Sequence, residues 1–127
     1  MDVYKTHGAF SWSELMTSDP AAASAFYAKL FGWTIKDMGA QMGHYQVANI
    51  GETGVAGLMA IPAQAQGMPP RWGVYVTVDN LDETLAQAKA LGAQVCMEPM
   101  TVPGVGRMAG FNDPQGAMIS IMQYDAR

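Results

Sequence analysis

Apolar and polar residues alternate along Phe10-Ser-Trp-Ser-Glu-Leu-Met-Thr17, which predicts a strand ending at Ser18-Asp19-Pro20. Asp19 is a good helix N-cap, and Pro20 suits the first helical position, where its missing N–H costs nothing. Ala21 to Phe31 are strong helix formers, Phe26, Leu30 and Trp33 recur at helical spacing, and Gly32 stops the helix. Three short strands follow at Trp33–Met38, His44–Ile50 and Val55–Ile61, parted by Gly39, Gly43, Gly51 and Gly54. The order then recurs. Arg71–Val78 is a strand rich in β-branched residues. Asp79 and Asn80 both offer caps, with Asp82 and Glu83 as third-position acids of a capping box. Leu81, Leu85, Ala88 and Leu91 form one apolar stripe closed by Gly92. Strands are predicted at Gln94–Glu98, Gly106–Phe111 and Ala117–Gln123, the last two joined by a tight turn at Asn112-Asp-Pro-Gln-Gly116.

A shift of 60 residues aligns the halves without a gap from Trp12 to Ile35: Trp12 meets Trp72, Thr17 meets Thr77, Asp19 meets Asp79 and Gly32 meets Gly92. The matches fall on a strand start, a helix cap and a helix stop. Between the halves lies Pro62-Ala-Gln-Ala-Gln-Gly-Met-Pro-Pro70, which can propagate neither a helix nor a central strand. The expected fold is therefore α+β. Two βαβββ modules, residues 5–63 and 70–127 with a linker over 62–70, share a single domain and form a cleft between curved mixed sheets.

Composition narrows the function. The 127 residues suffice for one compact domain, and charged residues at 14% exclude a disordered polyelectrolyte. Net charge is −4 and the 7 cations are scattered, so no nucleic-acid partner is expected. The single cysteine, Cys96, excludes an intrachain disulfide framework and a multi-cysteine metal site. No apolar run is long enough for a membrane helix, and the N-terminus has no signal-peptide pattern, so the expected setting is cytoplasmic with no membrane partner.

Four motifs, in order along the chain, resemble the vicinal oxygen chelate superfamily of glyoxalase I, bleomycin-resistance proteins and extradiol dioxygenases. They are Trp12-Ser-Glu-Leu-Met-Thr-Ser-Asp19, Phe26-Tyr-Ala-Lys-Leu-Phe-Gly-Trp33, Val102-Pro-Gly-Val-Gly-Arg107 and Asp113-Pro-Gln-Gly-Ala117. The resemblance implies paired βαβββ modules and, in most members, a dimer. In metal-dependent members it implies His, Gln or Glu ligands on the first and last strand of each module. Carried over, those positions are Trp12, Trp72, Ser120 and, through the repeat, Ala60, none of which is a good metal ligand. No metal and no other cofactor is expected.

The remaining chemistry lies on the strand faces. Trp12, Glu14 and Met16 share one face of the first strand, and Met118, Ser120 and Met122 share one face of the last. With Met59 and Trp72 they make up the expected ligand-binding set: two indole walls, adaptable thioethers and one carboxylate. Glu14 is read as a polar anchor or general base, or else as a rim or ion-paired residue. His44 reads as a strand end, His7 as solvated, and Cys96 as a buried thiol. Arg107 reads as an exposed or acid-paired residue, or as an anion ligand. Tyr45, Tyr75 and Tyr124 could each bond a ligand, and sequence does not rank them. The expected function is a metal-free binding protein holding a small, partly aromatic hydrophobic molecule, assembled as a homodimer. The alternative is an enzyme: a metal-dependent lyase, isomerase or dioxygenase with displaced ligands, or a metal-free catalyst using Glu14.

Overall fold

The computed structural model describes residues 1–126. The elements are β1 (Phe10–Thr17), α1 (Pro20–Phe31), β2 (Thr34–Asp37), β3 (Gln46–Ile50), β4 (Thr53–Ala60), β5 (Arg71–Thr77), α2 (Leu81–Ala90), β6 (Gln94–Val102), β7 (Gly106–Asn112) and β8 (Met118–Tyr124). The class is α+β, and the βαβββ order occurs twice. The chain forms two compact units, Trp12–Gly73 and Met1–Ser11 with Val74 onward.

In the first unit the strands run in the order β2-β3-β4-β1, antiparallel except for the parallel β1–β4 pair. Asp19 caps α1 by accepting from the Ala22 N–H at 3.0 Å, and left-handed Gly32 (φ 75°) ends it. The core under the helix joins Leu15, Ala48, Ala56 and Leu58 to Ala23, Tyr27 and Trp33. The buried face of α1 is thus Ala23, Ser24 and Tyr27. Phe26 and Leu30, which recur at helical spacing with Trp33, are each 59% exposed.

In the second unit the order is β5-β8-β7-β6, with β5–β8 parallel and the other pairs antiparallel. Val78, Leu81, Leu85, Ala109 and Ile121 form its core, joined by Val76, Val95 and Phe111. The N-terminal segment belongs here. Gly8 donates to the Thr77 carbonyl, and the Thr77 N–H donates to the Ala9 carbonyl, both at 2.8 Å. His7 is exposed, as expected, and its Nδ1 accepts from the Asp79 N–H at 3.0 Å.

The repeat is not a uniform shift of 60. Of the two candidate caps, Asn80 is the one used, accepting from the Glu83 N–H at 3.0 Å. Asp19 and Asn80 are 61 apart, so Leu15 matches Val76 and Glu14 matches Tyr75. A one-residue slip flips every side chain to the other face of a strand. Trp12 and Trp72 are therefore not equivalent; Gly73 occupies the place of Trp12. The last strands slip as well. Glu14 lies opposite Gly57 and Tyr75 opposite Ser120, so Ser120 matches Gly57 and not Ala60.

Candidate functional site

On the β1–β4 sheet, Leu15 and Leu58 point to the helix core, so Trp12, Glu14, Met16, Gly57 and Met59 take the opposite face. Met16 lies directly across from Met59. Four of the expected site residues, Trp12, Glu14, Met16 and Met59, are brought together. Tyr45, just before β3, completes the group. Its hydroxyl accepts from the Trp12 indole N–H at 2.9 Å and donates to Glu14 Oε2 at 2.6 Å. Glu14 is only 6% exposed, so a buried carboxylate is held by an oriented donor, as the cost of burying a charge demands.

Tyr45 is placed from both sides. The loop before it is closed by Asp37, which accepts from the Gly39 N–H at 2.7 Å and meets His44 Nδ1 at 3.1 Å. The Gly39 hydrogen bond first, then His44, holds the Asp37 carboxyl below the usual carboxylate range. His44 does not begin β3. It takes a left-handed backbone (φ 57°), and the chain re-enters the sheet at Gln46. Across from the loop, Gly57 leaves the space in which the Tyr45 ring lies. A Cβ there would run into the Tyr45 hydroxyl and stand 3.0 Å from Trp12 Nε1. Sequence reasoning did not single out Gly57. Its signal is a glycine inside a strand, which marks a close approach.

Trp72 stands in another group. Its indole N–H donates to the Tyr27 hydroxyl at 3.1 Å, and its ring meets Tyr27 and Trp33 edge-on with centroids 5.4 and 6.3 Å away. The expected pair of symmetric indoles is not formed, because the slip at the cap turns Trp72 away from the face equivalent to that of Trp12.

In the second unit Met118, Ser120 and Met122 share the face of β8 opposite Ile121, as alternation predicts. Tyr75, across from Ser120, donates to Met108 Sδ at 3.5 Å. Arg107 is an ion-pair residue: its guanidinium makes two contacts to Asp82, at 2.9 and 3.3 Å, and holds that carboxyl below its usual range. A hollow of about 560 Å³ beside Tyr4, Lys5, Asp79 and Tyr124 includes, of the residues considered above as ligand contacts, Tyr124.

The family model of the Glyoxalase/Bleomycin resistance protein/Dioxygenase superfamily matches residues 9–121. The chain belongs to this superfamily. "Putative glyoxylase CFP32" of Mycobacterium tuberculosis is 42% identical over 117 residues, 91% of this chain and 44% of that protein. "Anthracycline biosynthesis protein DnrV" of Streptomyces peucetius is 35% identical over 133 residues, 90% of this chain and 46% of that protein. The chain thus spans about half the length of the curated relatives it matches. Among solved structures, a Streptomyces coelicolor methylmalonyl-CoA epimerase aligns with TM-score 0.65 at 16% identity, covering 95% of this chain and 100% of that one. A homoprotocatechuate 2,3-dioxygenase variant from B. fuscum aligns with TM-score 0.63 at 17% identity, covering 99% and 35%. These two likenesses concern the fold.

Many superfamily members use a divalent metal. Among the described residues no three His, Cys, Asp or Glu side chains converge where an ion could sit. Glu14 accepts from Tyr45 through Oε2, and the residue at its register position in the second unit is the phenol Tyr75. Among the described residues no helix is long and apolar enough to cross a membrane.

Proposed function

We propose that this superfamily member binds a small, planar, largely apolar molecule, without a metal, on the sheet face carrying Trp12, Tyr45 and Glu14. The observation that carries this reading is the Trp12–Tyr45–Glu14 hydrogen-bond chain around a buried carboxylate. An indole offers a flat wall, the Met16–Met59 pair adapts to ring shape, and the carboxylate accepts from a ligand N–H or O–H. A pocket of this kind, mostly apolar with few placed polar groups, suits a neutral or weakly cationic aromatic compound. The relative named for anthracycline biosynthesis supports the same ligand class. Met118, Ser120 and Met122 remain in the reading as ligand contacts of their own sheet face, and Trp72 as a supporting ring. Glu14 is also the group suited to act as a general base, and a Glu14→Gln variant that keeps binding while losing turnover would identify that role. The assembly we favour is a homodimer, supported by the exposed Phe26, Leu30 and Phe31 of α1. Sedimentation should then give twice the 13.6 kDa chain mass, and a single-chain species at micromolar concentration would refute it.

The binding test uses the Trp33→Phe/Trp72→Phe protein, so that emission comes from Trp12. A panel of planar aromatics should include compounds that quench it saturably, and Trp12→Leu should weaken their binding about tenfold, followed by calorimetry. If no compound perturbs the emission, or Trp12→Leu binds equally well, the reading is wrong.

A further inference from the structure

The geometry points to a soft monovalent metal site, suited to Cu(I), made by the thioethers of Met100, Met108 and Met122. Strand register places these three in one row. Met100 lies opposite Met108 across β6–β7, and Met108 lies opposite Met122 across β7–β8. Directly opposed residues have Cβ atoms about 4.5–5.5 Å apart on the same face of the sheet. Each sulfur stands two bonds beyond its Cβ on a flexible chain.

Met100 reaches this face through a β-bulge. Between Met97 and Met100 the β6 chain takes three steps while β7, from Gly110 to Met108, takes two. Without the extra residue Met100 would point to the α2 side. Pro99, which has no N–H to offer a ladder, sits within the bulge. The device costs regular pairing and brings a third thioether into the row.

Burial grades the row in the manner of a site with an entrance. Met108 is 5% exposed and Met122 6%, while Met100 is 41% exposed. Tyr75 donates to Met108 Sδ at 3.5 Å and fixes that sulfur, whose second lone pair can serve a metal. The space over Gly110 is taken by Met118, Met97 and the Ser120 hydroxyl, so two further thioether side chains stand beside the row. Neutral sulfur donors select Cu(I) over Mg²⁺, Ca²⁺ or Zn²⁺. An entrance open to water lessens the cost of placing a positive charge there.

The test uses the full chain with Cys96→Ser, which removes the competing thiol, and Ag(I) as a redox-inert stand-in. One equivalent should bind, shifting the methyl signals of Met100, Met108 and Met122 and leaving those of Met16 and Met59 in place. Met108→Leu, close to volume-conserving, should weaken binding at least tenfold. Met100→Leu, at the exposed end and safe for the core, should do likewise. Cu(I) under ascorbate should compete with bathocuproine in the unmodified methionine protein and fail to in Met100→Leu. Uptake indifferent to both leucine variants, loss of uptake on Cys96→Ser alone, or shifts spread over all methionines would overturn the assignment.

Discussion

Replacing Tyr45 by Phe removes one oxygen and two hydrogen bonds, one from the Trp12 indole at 2.9 Å and one to Glu14 at 2.6 Å. The Glu14 side dominates. A hydrogen bond to a charged group contributes roughly 1.5–3 kcal/mol net, and an indole N–H bond to a neutral oxygen about 1. Glu14 is 6% exposed and cannot turn fully to water, whereas Tyr45 is half-buried and its place can be partly rehydrated. A loss of about 2 kcal/mol is therefore expected, a factor of about 30 in the unfolding constant. For a chain of this size that lowers Tm by roughly 5–10 °C. The assay is urea unfolding of the parent, Tyr45→Phe, Glu14→Gln and the double variant, with equal m values required for comparison. Because the two side chains share one bond, their coupling energy should be on the order of 1 kcal/mol or more. Strict additivity, or a Tyr45→Phe stability within about 0.5 kcal/mol of the parent, would refute the view that this bond holds the carboxylate.

Gly57→Ala should destabilise as much as Tyr45→Phe or more, and Tyr45→Phe should relieve that cost only in part, since the added Cβ meets the Tyr45 ring carbon Cζ as well as the hydroxyl; a Gly57→Ala protein as stable as the parent would contradict this. The Asp82 carboxyl, lowered chiefly by its hydrogen bond to Arg107, should titrate below 3.8 by NMR and return towards that value in Arg107→Gln. Since its folded pKa is depressed, whatever the pair contributes is present above the ordinary carboxylate value and lost as pH falls through the folded one. Both partners are exposed, so Asp82→Asn should leave the unfolding midpoint nearly unchanged at neutral pH. Leu58→Ala, at a fully buried core position, should cost about 2–5 kcal/mol by calorimetry, and a cost under 1 would mean that the first unit has little core of its own.

The succession of strands and helices along the chain, and the helix stops, were legible because caps and glycines act locally. Asp19 with Pro20, and Gly32 after Phe31, leave few alternatives. The faces of the second module were not legible. Asp79 and Asn80 are equally good caps, and capping chemistry cannot decide between neighbours; Leu81, buried completely, decides it through packing. That single step reassigns Trp72, Val74 and Tyr75. The bulge in β6 was equally hidden, with Pro99 as its only mark. The buried face of α1 is not marked by its larger apolar side chains: Phe26 and Leu30 stay exposed while the core takes Ala23 and Tyr27. Glu14 was found by asking what a carboxylate does in mid-strand. Tyr45 was unranked because its place depends on a left-handed turn at His44 and on an absent side chain at Gly57.

The choice of Asn80 over Asp79 also bears on how such a chain can change over generations. If the two modules descend from one ancestral copy, a single inserted codon between strand and helix is enough to exchange the residues that β5 shows to each side. One such event removes an indole from one surface and presents a phenol there instead, while leaving the helix, the core and every strand pairing in place. An internal deletion of one residue ahead of Leu81 would reverse the exchange. Paired modules of this kind can thus acquire unlike chemistries by a change of reading length, ahead of any change in the residues themselves.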